Sequence, residues 1–430
     1  MNKVGDRIVE FSFIIDVIAM ILQTFMFSIF SLSSPFFIFF WVIVFLIALQ
    51  YRRIAAQKEK LFGVKDETVW QQVTIAIVCG ILGGIVGAVL MVLGGITITN
   101  IGIGFLWAVA IMLLLVSPRF VCFAYAGSII SLSYLLFGWP NIDIAHLMGL
   151  VAILHLIESF LIVANGHLGA MPVYTKNHRG ETVGAFTLQK FWPIPIVALM
   201  VVAGVPPTDG TIPTPDWWPI IKPFESVPEY SFYLMLPIIA ALGYGDIAMT
   251  MNPQRKSYYT AALLSVYSII LLVLAIIASH HPHLLILPVL FCVLGHELTI
   301  YIGKRNEMQG KPLYVASDIG VRLLDVTKGS PAMKMGIRSG DIILSINSMK
   351  VENRYHLAAL LQTVNNFIEV EYIKNSDNKV YRETQWLTPG KHLGIIPVPE
   401  PTDAAQVELS NTGILVRFIQ KMIKKFKGER

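Results

Sequence analysis

Apolar positions along this chain do not alternate with polar ones until late. From Phe11 onward the chain is a series of long hydrophobic runs separated by short polar or basic joints, and a pattern of short alternating segments begins only after Ile302. The runs cover residues 11–32, 36–50, 73–98, 101–116, 120–138, 142–164, 192–205, 232–250, 258–279 and 283–302. They are read as spanning helices, for which roughly 17–25 apolar residues are needed. Asp16 weakens the first run, which either spans or lies in the interface, so the pattern predicts eight to ten spans. The segment 206–230 holds seven prolines and the pair Trp217-Trp218, and reads as an irregular segment at a membrane interface.

The later part has a different period. Residues 320–326 alternate as a half-buried strand does, Gly329-Ser330-Pro331 opens a short helix that Gly336 ends, and Gly340-Asp341 turns into the strand run Ile342, Ile343, Leu344, Ile346. Residues 354–364 place Leu357, Leu360, Leu361 and Val364 on one helix face. Residues 367–374 and 379–387 alternate as strands around the turn 375–378. The stretch GVRLLDVTKGSPAMKMGIRSGDIILSINSMKV resembles the signature of bacterial PDZ domains, with Ser348 where glycine is usual.

In a PDZ domain an extended peptide adds beside a strand, and a glycine-containing loop at that strand's start offers backbone N–H groups to a terminal carboxylate. Leu393, Gly394, Ile395 and Ile396 have this character, which resembles the circularly permuted bacterial type; the alternative loop is Ser317-Asp318-Ile319-Gly320. A β-branched residue at Gly394 is expected to block the ligand and spare the core. The fold class expected is therefore a polytopic α-helical membrane domain (1–305) followed by a small α/β PDZ domain (311–399), a polar tether (400–412) and a tail (413–430). That tail has the spacing of a basic amphipathic helix, with Arg417, Lys421, Lys424 and Lys425 suited to anionic inner-leaflet lipids.

Composition and charge sharpen this reading. Hydrophobic residues make up 55% of the 430 residues and charged ones only 14%, against roughly 25% charged in soluble proteins. The net charge of +5 reflects topology, and no nucleic-acid partner is inferred from it. Basic residues occupy alternate joints: Arg52, Arg53, Lys58, Lys60 and Lys65; Arg119; Lys176, Arg179 and Lys190; Arg255 and Lys256; Lys304 and Arg305. The intervening joints hold only Lys222, so the PDZ module is expected in the cytoplasm.

Chemistry is sparse in the apolar runs. Cys79, Cys122 and Cys292 sit singly in separate runs and argue for neither a disulfide framework nor a zinc site. Asp143 with His146, and His155 with Glu158, are spaced to share a helix face, and are read as polar pairs between helices. Asp246 is expected to reach the headgroups. The segment His296-Glu297-Leu298-Thr299-Ile300 invites comparison with membrane zinc proteases, but Ile300 stands where the second histidine is required. His296 and Glu297 are read as pairing with polar groups near the inner surface. No catalytic residue, metal or cofactor is assigned, and the chain is not read as an enzyme. A degenerate site-2 protease relative, a protease regulator or a transporter remain the alternatives.

Glycines 80, 83, 84 and 87 form two overlapping small-xxx-small pairs for close packing, within the chain or between chains. The combination of many spans, a C-terminal PDZ domain and no protease motif resembles the MinJ family of Gram-positive cell-division topological determinants. That resemblance implies a septal and polar multi-pass scaffold bridging DivIVA to MinD; composition and spacing alone reach only a membrane-anchored binder of proteins.

Overall fold

A computed structural model describes residues 3–63, 68–205, 211–223, 231–364, 366–387 and 392–406. The expected basic tail, 413–430, lies outside the described residues. Eight helices dominate the first part: α1 (Lys3–Phe30), α2 (Pro35–Phe62), α3 (Val69–Gly94), α4 (Ile103–Val116), α5 (Phe123–Phe137), α6 (Ile144–Asn165), α7 (Pro253–His280) and α8 (Ile286–Gln309). Among the described residues, α1 to α3 and α6 to α8 are the six helices long and apolar enough to cross a membrane. With α4 and α5 of 14 and 15 residues, each is shorter than the roughly 20 that a crossing needs.

Two of the expected helical spans are strands. After β1 (Met171–Lys176), β2 (Thr182–Ala203) and β3 (Ser231–Ala248) pair antiparallel, with Trp192 opposite Leu242 and Val197 opposite Pro237. The reason is local. Pro193 and Pro195 remove two backbone donors and resist a helical turn, Pro237 does the same on the return strand, and Gly243 and Gly245 there are poor helix formers. At about 3.3 Å per residue the 22-residue β2 is roughly 70 Å long, more than twice a hydrocarbon core of about 30 Å, so the hairpin extends well beyond it.

The α3 glycines fit this hairpin. A Cβ on Gly80 or Gly84 would come within 2.1 Å of the Pro193 carbonyl oxygen or 1.9 Å of that of Pro195, whereas Gly83 and Gly87 face Ile157 of α6. Both small-residue pairs are thus used inside the chain. Where Gly80 and Gly84 of α3 lie along β2, the strand presents the Pro193 and Pro195 carbonyls, and those two prolines bring no N–H to the contact. Farther along the same edge, Ile98 N–H donates to the Leu199 carbonyl at 2.8 Å and Val201 N–H to Thr99 Oγ1 at 2.8 Å.

The PDZ-side end of the helices is fastened by ion pairs. Buried Lys256 Nζ lies 3.3 Å from Asp246 Oδ2 and 3.6 Å from Glu307 Oε1. Glu307, also buried, accepts from the Met249 and Thr250 N–H groups, both at 2.8 Å. Asp246 therefore joins β3 to α7 and does not reach for headgroups as expected; buried charges persist where they are paired and hydrogen-bonded.

The second part is one sheet with two helices on it. β4 (Val321–Val326), α9 (Pro331–Lys334), β5 (Ile342–Ile346), β6 (Met349–Lys350), α10 (Arg354–Thr363), β7 (Phe367–Ile373), β8 (Val380–Trp386) and β9 (Ile395–Pro397) follow in the order read from the sequence. The strand order is β8-β7-β5-β4-β9, with β6 beside β5. Val321, Leu323, Ile343, Ile346, Leu357, Leu360, Val370 and Leu393 share its core. A polytopic α-helical membrane domain followed by a small α/β domain is the architecture observed, with the long hairpin added.

Candidate peptide groove

The turn chemistry that builds the groove follows the sequence. Ser330 caps α9, its Oγ accepting from Met333 N–H at 3.2 Å, and Pro331 supplies the first helical residue. Gly336 leaves α9 at φ +83°. Asp341 pins the next turn, one carboxylate oxygen accepting from Arg338 N–H and the other from Asn375 N–H, each at 2.8 Å. Ser348 sits at φ +65°, which explains why glycine is usual there.

These turns set β9 antiparallel to β4 at the end of the sheet. Thr327 N–H donates to the Gly394 carbonyl at 2.8 Å, and Val398 N–H to the Arg322 carbonyl at 3.0 Å. Alternation then turns the polar groups of Ile395 and Pro397 to the open edge, where proline has no N–H to offer. A ligand strand would find one donor there, on Ile395. The side chains of Leu393 and Ile396 are core, 4% and 1% exposed, so the stretch offers backbone more than side chains. Residues 388–391, before it, lie outside the described residues. At the alternative, Ser317 to Gly320, a Cβ on Gly320 would come within 2.3 Å of the Ile343 carbonyl oxygen.

Gly394 itself corrects the expectation that a bulky residue there spares the fold. Its φ is +82°, and a Cβ would come within 2.3 Å of Ser330 Cβ. Glycine is required by both the dihedral and the close approach of α9.

The groove is not free at both ends. Tyr174 of β1 donates its hydroxyl to the Pro397 carbonyl at 2.8 Å, and the Arg354 guanidinium lies over the Tyr174 ring at 5.4 Å. Arg354 Nε also meets Asp403 Oδ2 at 3.0 Å, so the start of α10, the chain after β9 and the membrane hairpin form one cluster. Burial pushes the Tyr174 phenol up to about 12, with Arg354 acting against the rise. Gly184 N–H donates to the Tyr314 carbonyl at 2.9 Å, Tyr314 packs edge-on to Phe186, and Lys58 of α2 pairs with Asp325 at 3.5 Å. At the other end a cleft of about 1150 Å³ opens beside Gly394 and Ser330, lined in part by Lys58, Lys328, Lys334, Arg338 and His392. Positive charge there suits an acidic or carboxylate-ended ligand.

The membrane polar residues fall partly as read. Asp143 caps α6 and its Oδ2 lies 2.9 Å from His146 Nδ1, a pair as expected. His155 does not turn to Glu158: its Nδ1 lies 2.7 Å from the Val151 carbonyl and its Nε2 3.0 Å from Cys122 Sγ. Arg119 is not a joint at the PDZ side. It pairs with Glu297, the midpoint of α8, which also accepts from the Tyr125 hydroxyl. Neither His296 nor Glu297 therefore sits near a helix end. The sequence hides this because α4 and α5 look like two spans.

Comparison with known proteins agrees with this geometry. Residues 323–368 match the PDZ domain family. The chain is 23% identical over 390 residues to the cell division topological determinant MinJ of Bacillus subtilis (strain 168), covering 84% of this chain and 92% of that protein. Over most of its length the chain is thus MinJ-like, a multi-pass membrane part followed by a PDZ domain.

Proposed function

We propose that this chain is a membrane-anchored scaffold for division-site selection, whose PDZ domain faces the cytoplasm and holds partner proteins along β9. The observation that carries the reading is a PDZ strand edge fixed to the PDZ-side end of a membrane bundle, in a chain similar to a division topological determinant. Supporting the orientation, the joints holding Lys58, Lys60, Lys176, Arg179, Arg255, Lys304 and Arg305 all belong to the PDZ-side end of their helices and strands. DivIVA and MinD are the proposed partners, with septum and poles as the site of action. The basic tail, through Arg417, Lys421, Lys424 and Lys425, adds contact with anionic lipid.

The experiment is a fluorescent fusion of the full chain in a rod-shaped Gram-positive cell whose own MinJ-type gene is deleted. Septal localisation with recovery of MinD at the septum is expected, and a chain ending at Gly310 should stay in the membrane without recruiting MinD. An even distribution of the full chain around the membrane, or a carboxy-terminal reporter active only outside the cell, would overturn the proposal.

A further inference from the structure

The cluster at the middle of the membrane bundle has a chemistry that the scaffold reading does not use. Cys122 lies at the start of α5, His155 at mid-length of the 22-residue α6, and His296 near the middle of the 24-residue α8. Their ligand atoms all lie within 4.8 Å of one another, and Cys122 Sγ is 3.0 Å from His155 Nε2. Ligand atoms of a tetrahedral zinc site stand about 3.5 Å apart, given Zn–S near 2.3 Å and Zn–N near 2.0–2.1 Å, so these separations bracket what the ion needs.

Three further features prepare the group. His155 Nδ1 is 2.7 Å from the Val151 carbonyl, a bond in which the ring must donate, so Nε2 is left with its lone pair towards Cys122. The Ala124 N–H points at Cys122 Sγ at 3.4 Å, at the positive end of α5, which suits a thiolate ligand. His296 is 9% exposed and its Nδ1 has no hydrogen-bond partner, an omission that is unfavourable in a buried polar group. Tyr125 and Tyr267 pack edge-on against His296, and Tyr267 also against His155, holding the rings in place.

We propose that Cys122, His155 and His296 bind one zinc ion, which ties the tip of the α4–α5 hairpin to α6 and α8. The Cys122 thiol loses its proton on binding. The site differs from a hydrolytic one. Three protein ligands leave a fourth position for water, as catalytic zinc sites do, but Glu297, the nearest carboxylate along α8, is taken by Arg119 and Tyr125 and is not free to act as a base. Cys292 stands aside, its thiol donating to the Ala124 carbonyl at 3.5 Å.

The test is metal analysis of the full chain, purified in detergent without a histidine tag, after incubation with zinc and removal of the excess. Stoichiometric zinc is expected, and cobalt in its place should give the near-ultraviolet band of thiolate-to-cobalt charge transfer. Cys122→Ser should abolish that band, and His155→Gln or His296→Gln should weaken zinc binding at least about tenfold. Cys292→Ser and the exposed pair His281→Gln with His283→Gln should leave both readings unchanged. Wild-type chain that takes up no zinc and shows no cobalt band overturns the proposal, as does zinc that survives all three ligand substitutions. Because the wild-type cobalt spectrum needs no variant, a misfolded Cys122→Ser chain does not spare the proposal.

Discussion

Among the described residues, two antiparallel sheets meet the same difficulty, an open edge, in different solvents. In the PDZ sheet, β9 keeps one outward N–H and blunts the rest of its edge with Pro397 and the Tyr174 hydroxyl. In the membrane sheet, β2 turns Pro193 and Pro195 towards Gly80 and Gly84 of α3, which lets a helix backbone lie against strand carbonyls. Water satisfies a stray polar group at the first edge, while lipid does not at the second, where each unmet group costs several kcal/mol. The first edge therefore keeps an outward donor, and the second is sealed by α3. What the contrast teaches is that proline in a strand marks an edge in either solvent, and that its neighbour decides whether the edge binds or packs.

The ion-pair cluster that ties β3 to α7 and α8 should be the most sensitive place. Replacing Lys256 by Met leaves Glu307 buried without its cation, and a loss of about 3–5 kcal/mol is expected, read as thermal unfolding of the full chain in detergent. Adding Glu307→Gln to it should restore part of the loss. Next comes the sealed edge itself. Gly84→Val drives a side chain into the Pro195 carbonyl and should cost at least the 1–3 kcal/mol usual for overpacking, about as an upper range for flexible neighbours. Gly83→Val meets only the Ile157 and Leu161 side chains, at 3.1 Å, and should cost less. Greater damage at Gly83 would show that α3 does not seal β2.

In the PDZ sheet, Gly394→Ala combines a left-handed φ with the contact to Ser330 and should lower PDZ stability by about 1–3 kcal/mol, measured by urea unfolding followed at Trp386. Tyr174→Phe is the milder change. Losing one hydrogen bond to Pro397 removes about 1 kcal/mol of docking and should speed hydrogen exchange at Ile396 and Val398 by roughly fivefold. The same bond predicts a pH profile. With the folded phenol raised to about 12 from about 10, its contribution is complete below pH 10 and is lost as pH rises through 12. Exchange at these amides should therefore show no docking-related change between pH 6 and 9, beyond its ordinary chemical rate.

How much of this was legible in the sequence depends on the period of each segment. The PDZ strands alternate and are bounded by Gly329, Gly336 and Gly340, each at a positive φ, so both elements and order could be read. The apolar stretches of the membrane strands do not alternate, since β2 is buried on both faces from Trp192 to Leu199 and β3 is half-buried along most of its length, and they looked like helices. Pro193 and Pro195, two apart, were the available signal. The helices α4 and α5 were legible as apolar but not as too short, which put Arg119 in a joint and concealed its pairing with Glu297. Convergence of Cys122, His155 and His296 depends on where that hairpin's tip falls, and three separate runs do not reveal it. Gly394 was identified as special, yet its packing against Ser330 needed coordinates.

The most direct test of the scaffold account is partner binding by an Ile395→Pro chain. The Ile395 N–H points away from β4, so proline there keeps the ladder while removing the one donor the open edge offers; because the Ile395 side chain also packs on the PDZ core, retention of the fold is checked by the PDZ unfolding transition of the variant. Full-length wild-type and variant chains in membrane vesicles would be compared for binding of purified DivIVA and MinD. The account expects at least one of the two to bind about tenfold or more weakly to the variant, the loss of roughly 1.4 kcal/mol or more from a main-chain bond and its register. Equal binding of both proteins to a folded Ile395→Pro chain would contradict it.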